Sequence, residues 1–229
     1  MTSGLDAQQI VTTLETLRNR IDERFPGDSL GHVCGEVLDL ARATMERCAS
    51  IRKPLTWLRV IIWTVIAFII GSIASVLWVT SLPERLPVLT DFVQILEPAA
   101  NLAVLIGAVV FFLLTAETRI KRRRALDATH ELRALAHVVD IHTLTMDPDC
   151  LLAEGEDTDS SPKRELTPFQ MSRYLDYCSE TLSLIGKIAA LYADHIVDSV
   201  ALNAIESIEI LTTNLSRKIW QKILMLRAA

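Results

Sequence analysis

The chain has 229 residues, of which 50% are apolar and 22% charged, and its formal net charge is −5. That acidic balance excludes a generic nucleic-acid binder, whose domain would be strongly basic. Four scattered cysteines (Cys34, Cys48, Cys150 and Cys178) form no CxxC pair. This argues against a disulfide framework or a structural zinc site.

The first fifty residues are polar and show no signal peptide. Ile10, Leu14, Leu17, Ile21 and Phe25 are spaced by four, three, four and four, which predicts one apolar stripe on an amphipathic helix. Pro26-Gly27 ends it, and Asp28 or Ser29 caps a second helix reaching about Ser50, with Val33, Val37, Leu40, Met45 and Cys48 inward. Gly31 and Gly35 weaken that helix intrinsically, so it depends on packing. Residues 1–56 are read as two N-terminal cytoplasmic helices.

Two uncharged runs follow, Val60 to Leu82 and Pro98 to Ala116, each of the length that crosses a bilayer, roughly 20 residues. Residues 57–118 are therefore read as a two-helix transmembrane hairpin with a short outer loop at 83–94. Arg42, Arg47, Arg52, Lys53 and Arg59 precede the first run, Arg119 and Lys121 to Arg124 follow the second, and only Arg85 lies between. By the positive-inside rule both termini are cytoplasmic and the protein is integral to the membrane. Lipid headgroups of negative charge are the expected partners of the basic cluster Arg119, Lys121, Arg122, Arg123 and Arg124.

Small residues recur every fourth position, Ala67, Gly71 and Ser75 in the first run and Ala99, Ala103 and Gly107 in the second. Such rows let membrane helices pack closely, within one hairpin or between subunits. Glu97, Asn101 and Thr115 fall on one side of the second run and mark a possible pore or interface stripe.

No proline or turn cluster interrupts the chain from Pro98 to about Thr145. The second membrane helix should thus continue through residues 119–146 as a cytoplasmic extension. On its surface Asp127, His130, His137 and Asp140 share a face. They resemble metal ligands in spacing, but a solvated polar face is the better reading, with Arg133 pairing Asp127, Asp140 or a glutamate. Residues 147–166 are an acidic linker carrying Thr158, Ser160 and Ser161.

Thr167-Pro168-Phe169-Gln170 is a strong helix start, with a capping box and proline in the first position. Met171, Leu175, Cys178, Leu182, Ile185, Ala189 and Tyr192 then keep four-three spacing. After a turn near Asp194 to Asp198 the last helix carries Ile205, Ile208, Thr212, Leu215, Ile219, Ile223 and Leu226. Residues 167–229 should form an antiparallel αα-hairpin. The fold class is all-α, a membrane hairpin with a cytoplasmic helical bundle.

Enzyme motifs, cofactor fingerprints and metal signatures are absent. The expected function is a membrane-anchored, self-associating scaffold or signalling adaptor that binds itself and a cytoplasmic protein partner. The alternative is an oligomeric pore gated through the long helix, a layout similar in topology to bacterial two-helix membrane effectors of defence systems.

Overall fold

The computed structural model describes residues 5–52, 56–80, 89–146, 148, 166–193 and 198–228. Among them are six helices and no strand: α1 (Ala7–Arg24), α2 (Ser29–Arg52), α3 (Thr56–Thr80), α4 (Leu89–Leu144), α5 (Pro168–Ala193) and α6 (Ser199–Ala228). The chain divides into two compact units, one of residues 1–52 and 122–229, the other of residues 53–121.

The first unit is a helical bundle. Its α1 begins where Asp6 Oδ1 accepts the Gln8 amide at 3.0 Å, and it ends at Phe25. Gly27 turns the chain at a φ of 79°, a conformation that costs glycine little, and Asp28 Oδ1 takes the Leu30 amide at 2.7 Å to open α2. The stripe Ile10, Leu14, Leu17 and Ile21 is buried as its spacing predicts. Gly31 and Gly35 lie against α1, beside the side chains of Asp22 and Arg18.

α5 opens on the predicted capping box. The Gln170 amide donates to Thr167 Oγ1 at 3.2 Å and the Thr167 amide donates to Gln170 Oε1 at 2.9 Å. The seven expected core positions of α5 are buried, but so are Tyr174, Tyr177, Thr181, Leu184, Ile188 and Leu191. This second face exists because α1 and α2 pack on the side of α5 away from α6. Arg20 reaches Glu180, Tyr174 reaches Asp28 and Tyr192 reaches Thr44. α5 is therefore the centre of the bundle rather than one arm of a free hairpin.

α6 runs antiparallel to α5 and buries Ile205, Ile208, Thr212, Leu215, Ile219 and Ile223, with Leu226 partly covered. The C-terminal part of α4 lies parallel to α6, since the contacts Arg122–Asp198, Arg133–Ser207 and Lys222–Thr143 advance along both helices together. Lys222 Nζ donates to the carbonyls of Thr143 at 2.8 Å and Met146 at 3.2 Å, so a cation from α6 satisfies the open end of α4.

The second unit contains α3 and the N-terminal part of α4. Here three expectations change. First, α4 begins at Leu89, inside the expected outer loop, and Pro98 lies within it. Residues 89–97 hold no glycine or proline, and an interior proline removes one backbone donor without forbidding a helix. From there α4 runs 56 residues to Leu144 without a break, as the uninterrupted sequence after Pro98 predicts. Second, the integral-membrane placement with both termini cytoplasmic is corrected. Among the described residues, no helix is long and apolar enough to cross a membrane. Third, the transmembrane hairpin falls with it as an established feature, leaving a helical unit. The loop residues 83–88 and nearly all of the acidic linker, with Thr158, Ser160 and Ser161, lie outside the described residues.

Candidate functional site

The residues singled out from the sequence are dispersed. Ala67, Gly71 and Ser75 are exposed on α3 and Gly107 on α4. A Cβ built at Gly71 or Gly107 would meet nothing within 4 Å, so no neighbouring helix presses on either glycine. The side chains of Glu97, Ala99 and Ala103 lie outside the described residues. Asn101 is exposed, and Thr115 donates its hydroxyl to the carbonyls of Phe111 and Phe112, both at 3.0 Å, within its own helix.

The basic cluster is not one surface. Arg119 stands over the Phe112 ring at 6.0 Å, and Arg123 and Arg124 are exposed. Arg122 is committed to structure: its Nε donates to Asp198 Oδ2 at 2.8 Å while Asp198 Oδ1 accepts the Val200 and Ala201 amides at 3.1 Å. One carboxylate thus caps α6 and holds α4. The Arg122 hydrogen bond holds the Asp198 carboxyl below its ordinary range, helped by those two amides.

Asp127, His130 and His137 are exposed and Asp140 is half-buried, and no group of three metal-binding side chains assembles among the described residues. Among the described residues Arg133 meets neither Asp127, Asp140 nor a glutamate; it donates to Ser207 Oγ at 2.7 Å. The parallel course of α4 and α6 puts a serine where a carboxylate was expected.

Three further constellations need the tertiary fold. At one end of the bundle Tyr174 donates to Asp28 Oδ1 at 3.1 Å, and His142 Nδ1 lies 3.4 Å from the same hydroxyl and 3.5 Å from Ser29 Oγ. Burial above all, with Cys178 and Asp28 beside it, pushes the Tyr174 phenol up, so it stays a protonated donor. This cluster ties α2, α4 and α5 together.

Beside it lies a cavity of about 520 Å³ lined by Arg20, Glu23, Arg24, Phe169, Arg173 and Tyr177. Arg20 pairs with Glu180 at 2.9 Å and Arg173 with Asp176 at 3.3 Å, while Arg24 sits 5.6 Å from the Phe169 ring centre. Two of three guanidiniums are neutralised and Glu23 offsets the third, so the cavity has little pull on an anion.

A groove of about 880 Å³ lies between α5 and α6, with Leu5 also on its lining. Its α5 wall is the small-residue row Ser179, Ser183, Gly186 and Ala190, with Lys187 at the edge. Its α6 wall carries Glu209, Thr213, Ser216, Arg217 and Trp220. The helices touch at its floor: a Cβ on Gly186 would fall 2.9 Å from Thr212 Oγ1. On the same side of α6, Ile210, Trp220 and Leu224 are 54%, 49% and 59% exposed. No apolar periodicity announces this face in the sequence, because Thr213, Asn214 and Arg217 separate Ile210 from Trp220.

Comparison with protein-family models, with curated proteins and with solved structures finds no match for this chain.

Proposed function

We propose that this chain is a self-associating helical scaffold that works through the bundle of residues 1–52 and 122–229. The observation behind this reading is the outer face of α6. A helix whose inner stripe is packed also presents Ile210, Trp220 and Leu224 to the outside. A bundle helix normally turns charged and polar residues to water, and large apolar side chains grouped on the outer side mark an interaction surface. The polar groups inside the bundle point the same way, because Asp28, Tyr174, Arg122 and Asp198 are engaged in holding helices to one another. An adaptor role, recruiting a second protein through the same bundle, is the natural extension of a scaffold.

The test is the mass of the purified full-length chain by light scattering over a hundredfold range of concentration. A mass that rises to a multiple of 25.5 kDa is expected. A chain that stays at that single mass up to about 100 μM, where even weak specific self-association is populated, contradicts the proposal. The pore alternative requires membrane-crossing helices and is not carried forward.

A further inference from the structure

We infer that the groove between α5 and α6 is a two-fold self-docking site, occupied by α6 of a second copy of this chain. The inference rests on the self-association proposed above and specifies its geometry. α5 supplies a trough, with Ser179, Ser183, Gly186 and Ala190 leaving room beside the helix, and α6 supplies a ridge topped by Trp220 and flanked by Leu224. A face holding both a ridge and a matching trough is self-complementary when a two-fold axis exchanges them.

The register can be worked out. Gly186 and Thr212 are in contact, so they mark the same level on two antiparallel helices. Trp220 is eight residues after Thr212, which puts it level with Cys178, one residue from Ser179. Glu209 is three residues before Thr212, level with Ala189 and two residues from Lys187. A two-fold axis parallel to the helices lays each α6 over the partner's α5 at unchanged level. Trp220 then enters the trough at Ser179 and Ser183 of the second copy. Glu209 faces Lys187 of the second copy within about 3 Å along the axis, at about 1.5 Å per residue, and the symmetry makes this ion pair twice.

Among the described residues these charges lack such partners within one chain. Lys187 Nζ donates only to a neutral Ser183 Oγ at 2.7 Å, and among the described residues no ion pair engages Lys187, Glu209 or Arg217. Two helices about 40 Å long and set about 10 Å apart offer on the order of 800 Å² per copy, the area of an ordinary specific interface.

The experiment uses the full-length chain, light scattering and two single charge reversals at exposed positions, Lys187→Glu and Glu209→Lys. Each alone places like charges opposite each other twice and should weaken dimerisation at least about tenfold. Mixed one to one, the two variants place opposite charges at both contacts and should dimerise together as tightly as wild type. Trp220→Ala should weaken the dimer, and Ser183→Trp, which fills the trough, should abolish it while thermal unfolding followed by circular dichroism stays two-state. If wild type associates but neither reversal weakens it, or the mixture fails to recover, the groove is not the interface although the scaffold reading stands. If wild type is monomeric, both fall. A monomer that takes up an unrelated helical peptide in the groove likewise overturns the self-docking site.

Discussion

Single residues in this bundle answer to how closely helices approach. A Cβ at Gly186 would press on Thr212 Oγ1, which is buried and already donates to the Glu209 carbonyl at 3.1 Å. A β-branched side chain held on its own backbone cannot swing aside, so Gly186→Ala should destabilise by about 1 kcal/mol even after its gain in helix propensity. At Gly31 the nearest atom is the free end of Asp22, which can rotate away, and Gly31→Ala should leave stability unchanged or raise it. Chemical denaturation of the two variants side by side checks the contrast. Tyr174→Phe removes a donor to a carboxylate from the core and should cost about 2 kcal/mol. The buried Cys34 thiol gives a pH signature. Burial, the main cause, pushes it from 9.0 up to about 11. Because the folded pKa is the higher one, this stabilising contribution is full below pH 9 and disappears as pH rises toward 11. Native Cys34 and Cys178 should therefore react slowly with a thiol reagent at pH 8 and quickly once denaturant unfolds the chain. Equal rates in both states would refute the burial.

At the scale of elements, the helix starts carry the clearest expectations. Thr167→Ala removes the hydroxyl that accepts the Gln170 amide, while the backbone amide at 167 can still donate to Gln170 Oε1, and it should lower stability by about 1 kcal/mol. Asp198 does more than cap, because its second oxygen holds Arg122 of α4. Its carboxyl is lowered from the ordinary 3.8, so its contribution is present above that pH and is lost as pH falls through the folded value. Acid titration of Asp198→Asn should show a shallower loss of stability below pH 4 than wild type. A parallel curve would mean the Arg122 contact contributes nothing. The capping box of α5 and the turn before α2 were readable as local signals, since side chain and target amide lie within three residues. The Lys222 cap on α4 was not, because donor and carbonyl are brought together only by packing.

For the whole molecule, the wide core of α5 has a direct consequence. α1 and α2 pack on α5, whose buried side chains include Tyr174, Tyr177, Leu184, Ile188 and Leu191. Removing residues 1–52 bares that face, and burial of each such side chain is worth about 2 kcal/mol. The truncated chain should melt well below the full one by circular dichroism and bind an apolar dye. A truncation that melts at the same temperature would show that α5 and α6 fold without the N-terminal helices. Phe25 gives a smaller measure of the same dependence, since it packs edge-on against Tyr174 at 5.3 Å and Tyr177 at 6.3 Å.

The amino-acid sequence by itself determined the all-helical class, the stripes of α1, α5 and α6, the unbroken stretch of α4 beyond Pro98 and the caps that open α2 and α5. Each of these is written in contacts between residues three or four apart, where spacing alone sets the face. It did not determine which helix is central, because the second buried face of α5 acquires its meaning only when α1 and α2 are seen lying on it. Nor did spacing foresee that Arg122 and Arg133 would be taken up by Asp198 and Ser207, as those pairings depend on α4 running parallel to α6. The reading of the apolar runs as membrane spans came from composition, and no described helix is long and apolar enough to bear it out. The groove is tertiary in origin too. Its small-residue wall and its Trp220 ridge stand on different helices, and only the contact between Gly186 and Thr212 fixes the register that makes them neighbours.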